Sequence, residues 1–143
     1  MEKTLKPELL KILLYIFGVI SILLFGSLFL LTSLDAKMMQ DGGSLRFLRW
    51  DVLSKHVELM IEIVYFVWGI FLLLAARDPV SYLSFLQFTL WANLAHGLLM
   101  VPQAFMVGMH YKLFTDVAYC LILSCGLWIL LPTRKEAPNR NFY

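Results

Sequence analysis

One apolar stretch of the chain carries polar side chains at regular helical spacing. These positions are Thr89, Asn93, His96, Met100 and Gln103, at intervals of four, three, four and three residues, and all of them except Met100 are polar. Residues three and four apart lie on the same face of an α-helix. The stretch WANLAHGLLMVPQA therefore predicts a helix with one polar stripe, which could exchange hydrogen bonds and, at His96, carry a proton.

A second apolar stretch carries two carboxylates, Glu58 and Glu62, one helical turn apart. An ionisable side chain inside a bilayer costs about 2.5 to 3.5 kcal/mol on the insertion scale, so Glu62 must be neutral, paired or hydrated. We expect His96 to be its partner, because a carboxylate orients an imidazole and stabilises the protonated ring. The alternative is that both side chains only make hydrogen bonds that hold helices together.

The elements that position these residues are membrane-spanning helices. The chain is 60% hydrophobic and 15% charged, which is too apolar for a soluble domain of 143 residues. Its apolar residues form four blocks of about the twenty residues that a bilayer requires, over residues 9–34, 54–76, 83–107 and 113–131. Only helices can cross lipid singly, and short links make neighbours antiparallel. We predict one all-α domain, residues 1–143, forming an antiparallel four-helix transmembrane bundle.

The depth of each polar residue follows from a helical rise of about 1.5 Å per residue, counted from the middle of its block. Glu62, His96 and Tyr119 then share a layer within about 5 Å of the bilayer centre. Glu58, Gln103 and Asp116 form a second layer about 9 to 12 Å outward. We therefore expect a polar cluster in the outer half of the bundle, formed by Glu62, His96, Asn93, Tyr119, Glu58, Gln103 and Asp116. Glu58 and Asp116 also have ordinary explanations, as an interfacial carboxylate and as a helix N-terminal acid.

The charges around the blocks predict the orientation. The side that holds both termini has seven lysine and arginine residues: Lys3, Lys6, Lys11, Arg77, Arg134, Lys135 and Arg140. The other side has five: Lys37, Arg46, Arg49, Lys55 and Lys112. The positive-inside rule places both termini in the cytoplasm. The first link is the only long one; its Asp41-Gly42-Gly43 turn precedes Ser44, which we expect to cap a short helix through Val52. This link is either a surface lead-in to the second span or a lid over an outer cavity.

Several kinds of chemistry lack their sequence signals. The chain has no glycine-rich phosphate loop, HExxH, GxSxG or CxxC motif. Its histidines lack metal spacing, and Cys120 and Cys125 are five apart on one predicted helix, so they face different directions. Its net charge is +2, without a basic stripe for nucleic acid. We expect no metal, no cofactor and no nucleic-acid partner, and the catalytic residues, if any, are unknown.

Two segments carry a resemblance to a known family. They are GIFLLLAARDP, residues 69–79, and FTLWANLAHGLLMVPQA, residues 88–104. They resemble a family of small bacterial inner-membrane proteins of unknown function with four predicted helices. The resemblance implies that fold and a place in the bacterial inner (cytoplasmic) membrane, and it implies no activity.

Two classes of function fit these features. The first is an accessory subunit of a larger membrane complex or homo-oligomer, or a binder of a lipid or apolar small molecule in an outer-half cavity near Tyr65, Trp68, Phe105 and Tyr119. The alternative is a proton-coupled membrane enzyme or transporter in which Glu62 and His96 exchange protons. Transport ranks lower because no inverted repeat is visible in the sequence.

Overall fold

The computed structural model describes residues 2–50 and 54–132, and these contain four long helices and no strand. The helices are α1 (Glu2–Ser33), α2 (Lys55–Arg77), α3 (Leu83–Met106) and α4 (Asp116–Leu130). Three segments are long and apolar enough to cross a membrane, namely Lys6–Ser33, Lys55–Arg77 and His110–Leu130. The prediction of an all-α protein with several membrane-crossing helices is confirmed at this level.

Helix α3 differs from the other three in composition. It has 24 residues and no Asp, Glu, Lys or Arg, so its length and charge suit a span. Its polar stripe lowers its mean hydropathy, and it is not among the three segments that qualify on composition. A fourth span therefore remains a prediction.

Helix α1 begins seven residues before the apolar block that predicted it, at Glu2 rather than at residue 9. Pro7 lies inside the helix near its start. Proline is tolerated there because the first amides of a helix have no partner inside it. The apolar block therefore marks only the segment of α1 that is apolar enough for lipid, and the helix itself begins before that segment.

The chain divides into two compact units. The first contains residues 14–74, with most of α1 and α2. These helices approach closely at Gly69, where an added Cβ would lie 2.7 Å from the Cβ of Ser21 and 3.0 Å from the carbonyl oxygen of Gly18. Further along α1, Gly26 faces Phe66. Positions later in α1 therefore contact positions earlier in α2.

The second unit contains residues 2–13 and 75–132. Helices α3 and α4 pack together around Gly97, where an added Cβ would lie 3.1 Å from the Cβ of Cys120. The hydroxyl of Ser124 donates a 3.1 Å hydrogen bond to the carbonyl oxygen of Leu90. The buried face of α3 contains Leu86, Thr89, Leu90, Asn93, Gly97, Met100 and Ala104.

The long link after α1 contains two short 3-10 turns, Lys37–Met39 and Arg46–Leu48. The expected Ser44 cap is wrong, because the second turn starts after Leu45 and has no side-chain cap. That turn ends at Arg49, whose backbone is extended. Val52, the expected end of the short helix, lies outside the described residues, as do Arg134, Lys135 and Arg140 of the charge count.

Candidate functional site

Glu62 on α2 is bound by a residue from the last turn of α1. The hydroxyl Oγ1 of Thr32 donates a 3.0 Å hydrogen bond to Oε1 of Glu62. Both side chains are buried, with exposed fractions of 4% and 7%. Because α1 ends at Ser33, Glu62 lies level with the end of α1. The block midpoints predict that Glu62 lies within about 5 Å of the bilayer centre, and its depth in a bilayer stays a prediction.

Glu58, one turn earlier on α2, is bound by an arginine of the long link. Nε and Nη2 of Arg49 donate to its Oε2 at 2.8 and 2.5 Å. A guanidinium that gives two bonds to one carboxylate forms a strong and directional pair. The third nitrogen, Nη1, donates to the carbonyl oxygen of Met39 at 3.4 Å. Arg49 therefore holds the link against the start of α2.

Each carboxylate keeps one buried oxygen without a partner. These atoms are Oε1 of Glu58 and Oε2 of Glu62, and neither accepts a hydrogen bond from any residue that the structure describes. The two side chains are 95% and 93% buried. A buried charged acceptor without a donor costs free energy. We call the group of Thr32, Arg49, Glu58 and Glu62 the acidic site.

A small cleft opens beside the acidic site. Thr32 and Arg49 both line it, and the other lining residues are Leu31, Asp35, Ala36, Met39, Gln40 and Lys55. Its volume is about 20 Å³, enough for one water molecule or one polar group. The cleft is therefore too small for a whole lipid or other drug-sized molecule.

The rim of the cleft carries a second ion pair. Nζ of Lys55 lies 2.6 Å from Oδ1 of Asp35. The amide of Gln40 donates to the carbonyl oxygen of Asp35 at 2.9 Å. These contacts fold the start of the long link back over the end of α1, so the link covers the acidic site.

The polar stripe of α3 is divided between buried and exposed positions. Asn93 is 1% exposed, and its amide nitrogen donates a 3.0 Å bond to the carbonyl oxygen of Thr89. Its Oδ1 accepts no hydrogen bond from the described part of the chain. His96 is half-buried, and Gln103 is exposed. Glu62 and His96 belong to different compact units, so their pairing stays a prediction.

An ion pair lies at the start of α4. Nζ of Lys112 lies 2.8 Å from Oδ2 of Asp116, one turn later. The lysine is 1% exposed, whereas the aspartate side chain is one-third exposed. Tyr119, the remaining member of the expected cluster, is half-buried. This pair anchors the link between α3 and α4, where Met109 is also buried.

Sequence reasoning missed three residues that bind the predicted acids. Arg49 and Lys112 were counted only as orientation signals, although Lys112 and Asp116 have the four-residue spacing of a helical ion pair. No local pattern pairs Thr32 with Glu62, which are thirty residues apart in sequence. Among residues 2–50 and 54–132, no group of three or more His, Cys, Asp or Glu side chains is arranged to hold a metal ion.

Comparison with known proteins identifies the family. No curated protein and no solved structure matches the chain. The model of one family, described as a family of unknown function (DUF6632), matches residues 6–137. The match includes α1 and the long link, whereas the resemblance seen in the sequence spans the second to fourth helices. The chain therefore belongs to the DUF6632 family of unknown function.

Proposed function

We propose that this protein is a four-span membrane protein that binds a lipid or another amphiphilic small molecule by its polar end at Glu62. The rest of the molecule would lie along the apolar surface of α1 and α2. Such a binder can act alone or as an accessory subunit of a larger membrane complex. The bacterial inner membrane is the expected location.

The distribution of side chains on α3 supports a fourth span. Thr89 and Asn93 lie on its buried face, where protein atoms can satisfy them. The exposed side chains of its central part are apolar and include Phe88, Trp91, Leu98 and Leu99. A helix with this division meets lipid with apolar atoms even though its mean hydropathy is low. With four spans and short second and third links, neighbouring helices are antiparallel and both termini lie on one side.

The observation that carries the binding proposal is Oε2 of Glu62, a buried oxygen that has no partner among residues 2–50 and 54–132. Thr32 already satisfies the other oxygen, so Oε2 is the atom that a ligand would meet. A carboxylate accepts hydrogen bonds, and the matching group is a hydroxyl or an amine. The adjacent cleft holds only such a polar end, which fits an amphiphile rather than a wholly apolar molecule.

Aromatic rings next to Glu62 support an apolar contact for the rest of the ligand. Phe25 of α1 stacks on Tyr65 of α2 with ring centroids 4.7 Å apart, and Tyr65 stacks on Trp68 at 5.8 Å. All three rings are half-buried. Tyr65 is three residues from Glu62 and shares its helical face, so an acyl chain could leave the polar site along these rings.

The test is retention of a ligand through gentle purification. Native mass spectrometry of the protein from its host membrane should show a small molecule bound in stoichiometric amount. Glu62→Gln places an amide nitrogen where the ligand needs an acceptor. We expect retention of the ligand to fall about tenfold or more, because one charge-assisted hydrogen bond is lost. Ser27→Ala is the matched control, because Ser27 is exposed and its hydroxyl bonds only to Leu23 of its own helix.

The outcomes separate the candidate roles. Equal retention by the protein and Glu62→Gln would overturn the binding site. A stoichiometric protein in the same preparation would favour the accessory role. The proton-coupled alternative is favoured by the position of Glu62, an ionisable group in a candidate span. It predicts a proton flux into liposomes that contain the protein, and loss of this flux in Glu62→Gln.

A further inference from the structure

We infer that the polar end bound at the acidic site is a primary ammonium group, held between Oε1 of Glu58 and Oε2 of Glu62, and that Arg49 competes with it for these carboxylates. The inference rests on the proposed function and names its ligand chemistry. It goes beyond a neutral donor such as a hydroxyl.

The first argument is charge. The acidic site has two carboxylates, Glu58 and Glu62, and one guanidinium, Arg49. The neighbouring Lys55 is already paired with Asp35 at 2.6 Å. With both carboxylates ionised, the site carries one excess negative charge in a buried place. A buried unpaired charge is strongly unfavourable, and a cationic ligand removes it.

The second argument is hydrogen-bond stoichiometry. An ammonium group has three N–H donors and no acceptor. The acidic site offers two carboxylate oxygens that have no partner in the described part of the chain. The hydroxyl oxygen of Thr32 still has acceptor capacity while it donates to Glu62. A trimethylammonium group carries the same charge but has no N–H. The site therefore predicts a preference for a primary ammonium over a quaternary one.

The third argument is the charge pattern of the cleft beside the site. Its lining includes Arg49 and Lys55 as well as Thr32. Asp35, the partner of Lys55, lines the same cleft, so the lining carries one net positive charge. An anionic group next to the ammonium would be attracted by this charge, while the ammonium points to the carboxylates. A phosphoethanolamine headgroup has this order of charges. The same ammonium chemistry also occurs in free amines, and the experiment distinguishes the two sources.

Arg49 gives the inference its most specific consequence. Its guanidinium satisfies Oε2 of Glu58 and balances one of the two charges. Without it, the excess negative charge of the site rises from one to two. Arg49→Gln should therefore strengthen ammonium binding, although it loosens the link. A purely structural role for the acidic site predicts no such gain, because the loss of Arg49 would then only destabilise the protein.

The experiment uses the full-length protein in nanodiscs of neutral lipid with a small added fraction of either phosphatidylethanolamine or phosphatidylcholine. Binding of each lipid is measured by native mass spectrometry over a titration. We expect phosphatidylethanolamine to bind about tenfold more tightly, the difference of one charge-assisted bond. Glu62→Gln should remove this preference. Arg49→Gln should increase the affinity for free ethanolamine several-fold, because ethanolamine has an ammonium but no phosphate for Arg49 to attract. Arg46→Gln is the control, because Arg46 lies in the same link but pairs with the exposed Asp41.

A second titration uses ethanolamine alone as a competitor. Displacement of the lipid shows that the ammonium is sufficient for recognition. Failure to displace it, with phosphatidylethanolamine preferred to phosphatidylcholine, shows that the ammonium is recognised only within the lipid headgroup. Equal affinity for the two lipids would overturn the inference. If Glu62→Gln then weakened both equally, the proposed function would stand with recognition of the positive charge that both headgroups carry, rather than of N–H donors. If Glu62→Gln changed neither, both proposals would fail. Reduced affinity for ethanolamine in Arg49→Gln would overturn the competition.

Discussion

The hydroxyl of Thr32 donates a 3.0 Å hydrogen bond to Oε1 of Glu62, and this bond joins the last turn of α1 to the second turn of α2. It fixes one oxygen of a buried carboxylate and leaves the other, Oε2, without a partner in the described structure. The carboxylate is therefore held in one orientation with one acceptor available. A fixed polar group is what a binding site requires, since little orientation is lost when a ligand arrives.

Removal of this donor should destabilise the α1–α2 pair. Thr32→Val keeps the shape of the side chain but removes the hydroxyl that donates to Oε1 of Glu62. Neither carboxylate oxygen then has a donor among the described residues. A hydrogen bond to a charged group contributes about 1.5 to 3 kcal/mol, and we expect a loss of that size in the free energy of unfolding. Thermal or denaturant unfolding in detergent micelles measures it. Ser27→Ala removes an exposed hydroxyl of the same helix, and an equal effect of that control would contradict the assignment.

The link after α1 should depend on Arg49 far more than on Arg46. Arg49→Gln leaves the buried Glu58 without its cation, and such a loss costs about 3 kcal/mol or more. Arg46→Gln breaks a pair with an exposed aspartate, which contributes at most about 1 kcal/mol. Unfolding of both variants and limited proteolysis of the link measure the difference. The double variant Arg49→Gln with Glu58→Gln should recover part of the stability, because no uncompensated charge remains.

At the start of α4, the loss of Asp116 should reduce the free energy of unfolding more than the loss of its partner Lys112. Lys112 is almost fully buried, whereas the Asp116 side chain is one-third exposed. Asp116→Asn removes the countercharge of a buried ammonium, and we expect it to cost about 3 kcal/mol. Lys112→Met leaves a carboxylate that water can reach and should cost less. Equal losses in the two unfolding curves would show that burial does not set the energetics of this pair.

Close packing of α1 on α2 should make Gly69 intolerant of a side chain. The Cβ in Gly69→Ala would lie 2.7 Å from Ser21 and 3.0 Å from the backbone of Gly18, and backbone atoms cannot move aside. We expect a loss of about 1 to 3 kcal/mol. Gly26→Ala is the comparison, because its Cβ would meet only the ring of Phe66, at 3.1 Å. Gly26→Ala should therefore have the smaller effect on unfolding, and the reverse order would contradict this packing.

The four-span topology predicts which links are exposed on which side. In a protein with Cys120→Ala and Cys125→Ala, single cysteines are introduced by Ser81→Cys before α3 and by Tyr111→Cys after it. If α3 crosses the membrane, a membrane-impermeant maleimide added to intact cells should label Tyr111→Cys only, and Ser81→Cys should react after lysis. Labelling of both positions from the same side would exclude α3 as a span.

Hydrophobic blocks were sufficient to locate the helices. The predicted spans 54–76 and 83–107 agree closely with Lys55–Arg77 and Leu83–Met106. Asp78 and Pro79 follow the first of these helices, and Gly108, with a φ of 71°, follows the second. The prediction was poorer at α1, where Lys6 and Glu8 lie outside the apolar block but continue the helix. Hydropathy reports the medium around a helix, whereas backbone hydrogen bonds determine its length.

The contacts of the acids depend on packing and could not be read locally. The sequence identified Glu58 and Glu62 as residues that need partners, since a carboxylate among apolar neighbours has few ways to remain stable. Their observed partners, Arg49 and Thr32, depend on the offset between α1 and α2 and on the path of the long link. Helical periodicity predicts neither the offset between two helices nor the path of a link.

The central claim is that Oε2 of Glu62 accepts a hydrogen bond from a bound amphiphile. The most direct test is a crystal structure from crystals grown in a lipidic mesophase that contains phosphatidylethanolamine. We predict density for a headgroup nitrogen about 3 Å from Oε2 of Glu62, with Thr32 still bound to Oε1. An imidazole nitrogen of His96 on Oε2, with no ligand density beside it, would contradict the claim and favour the proton-coupled alternative.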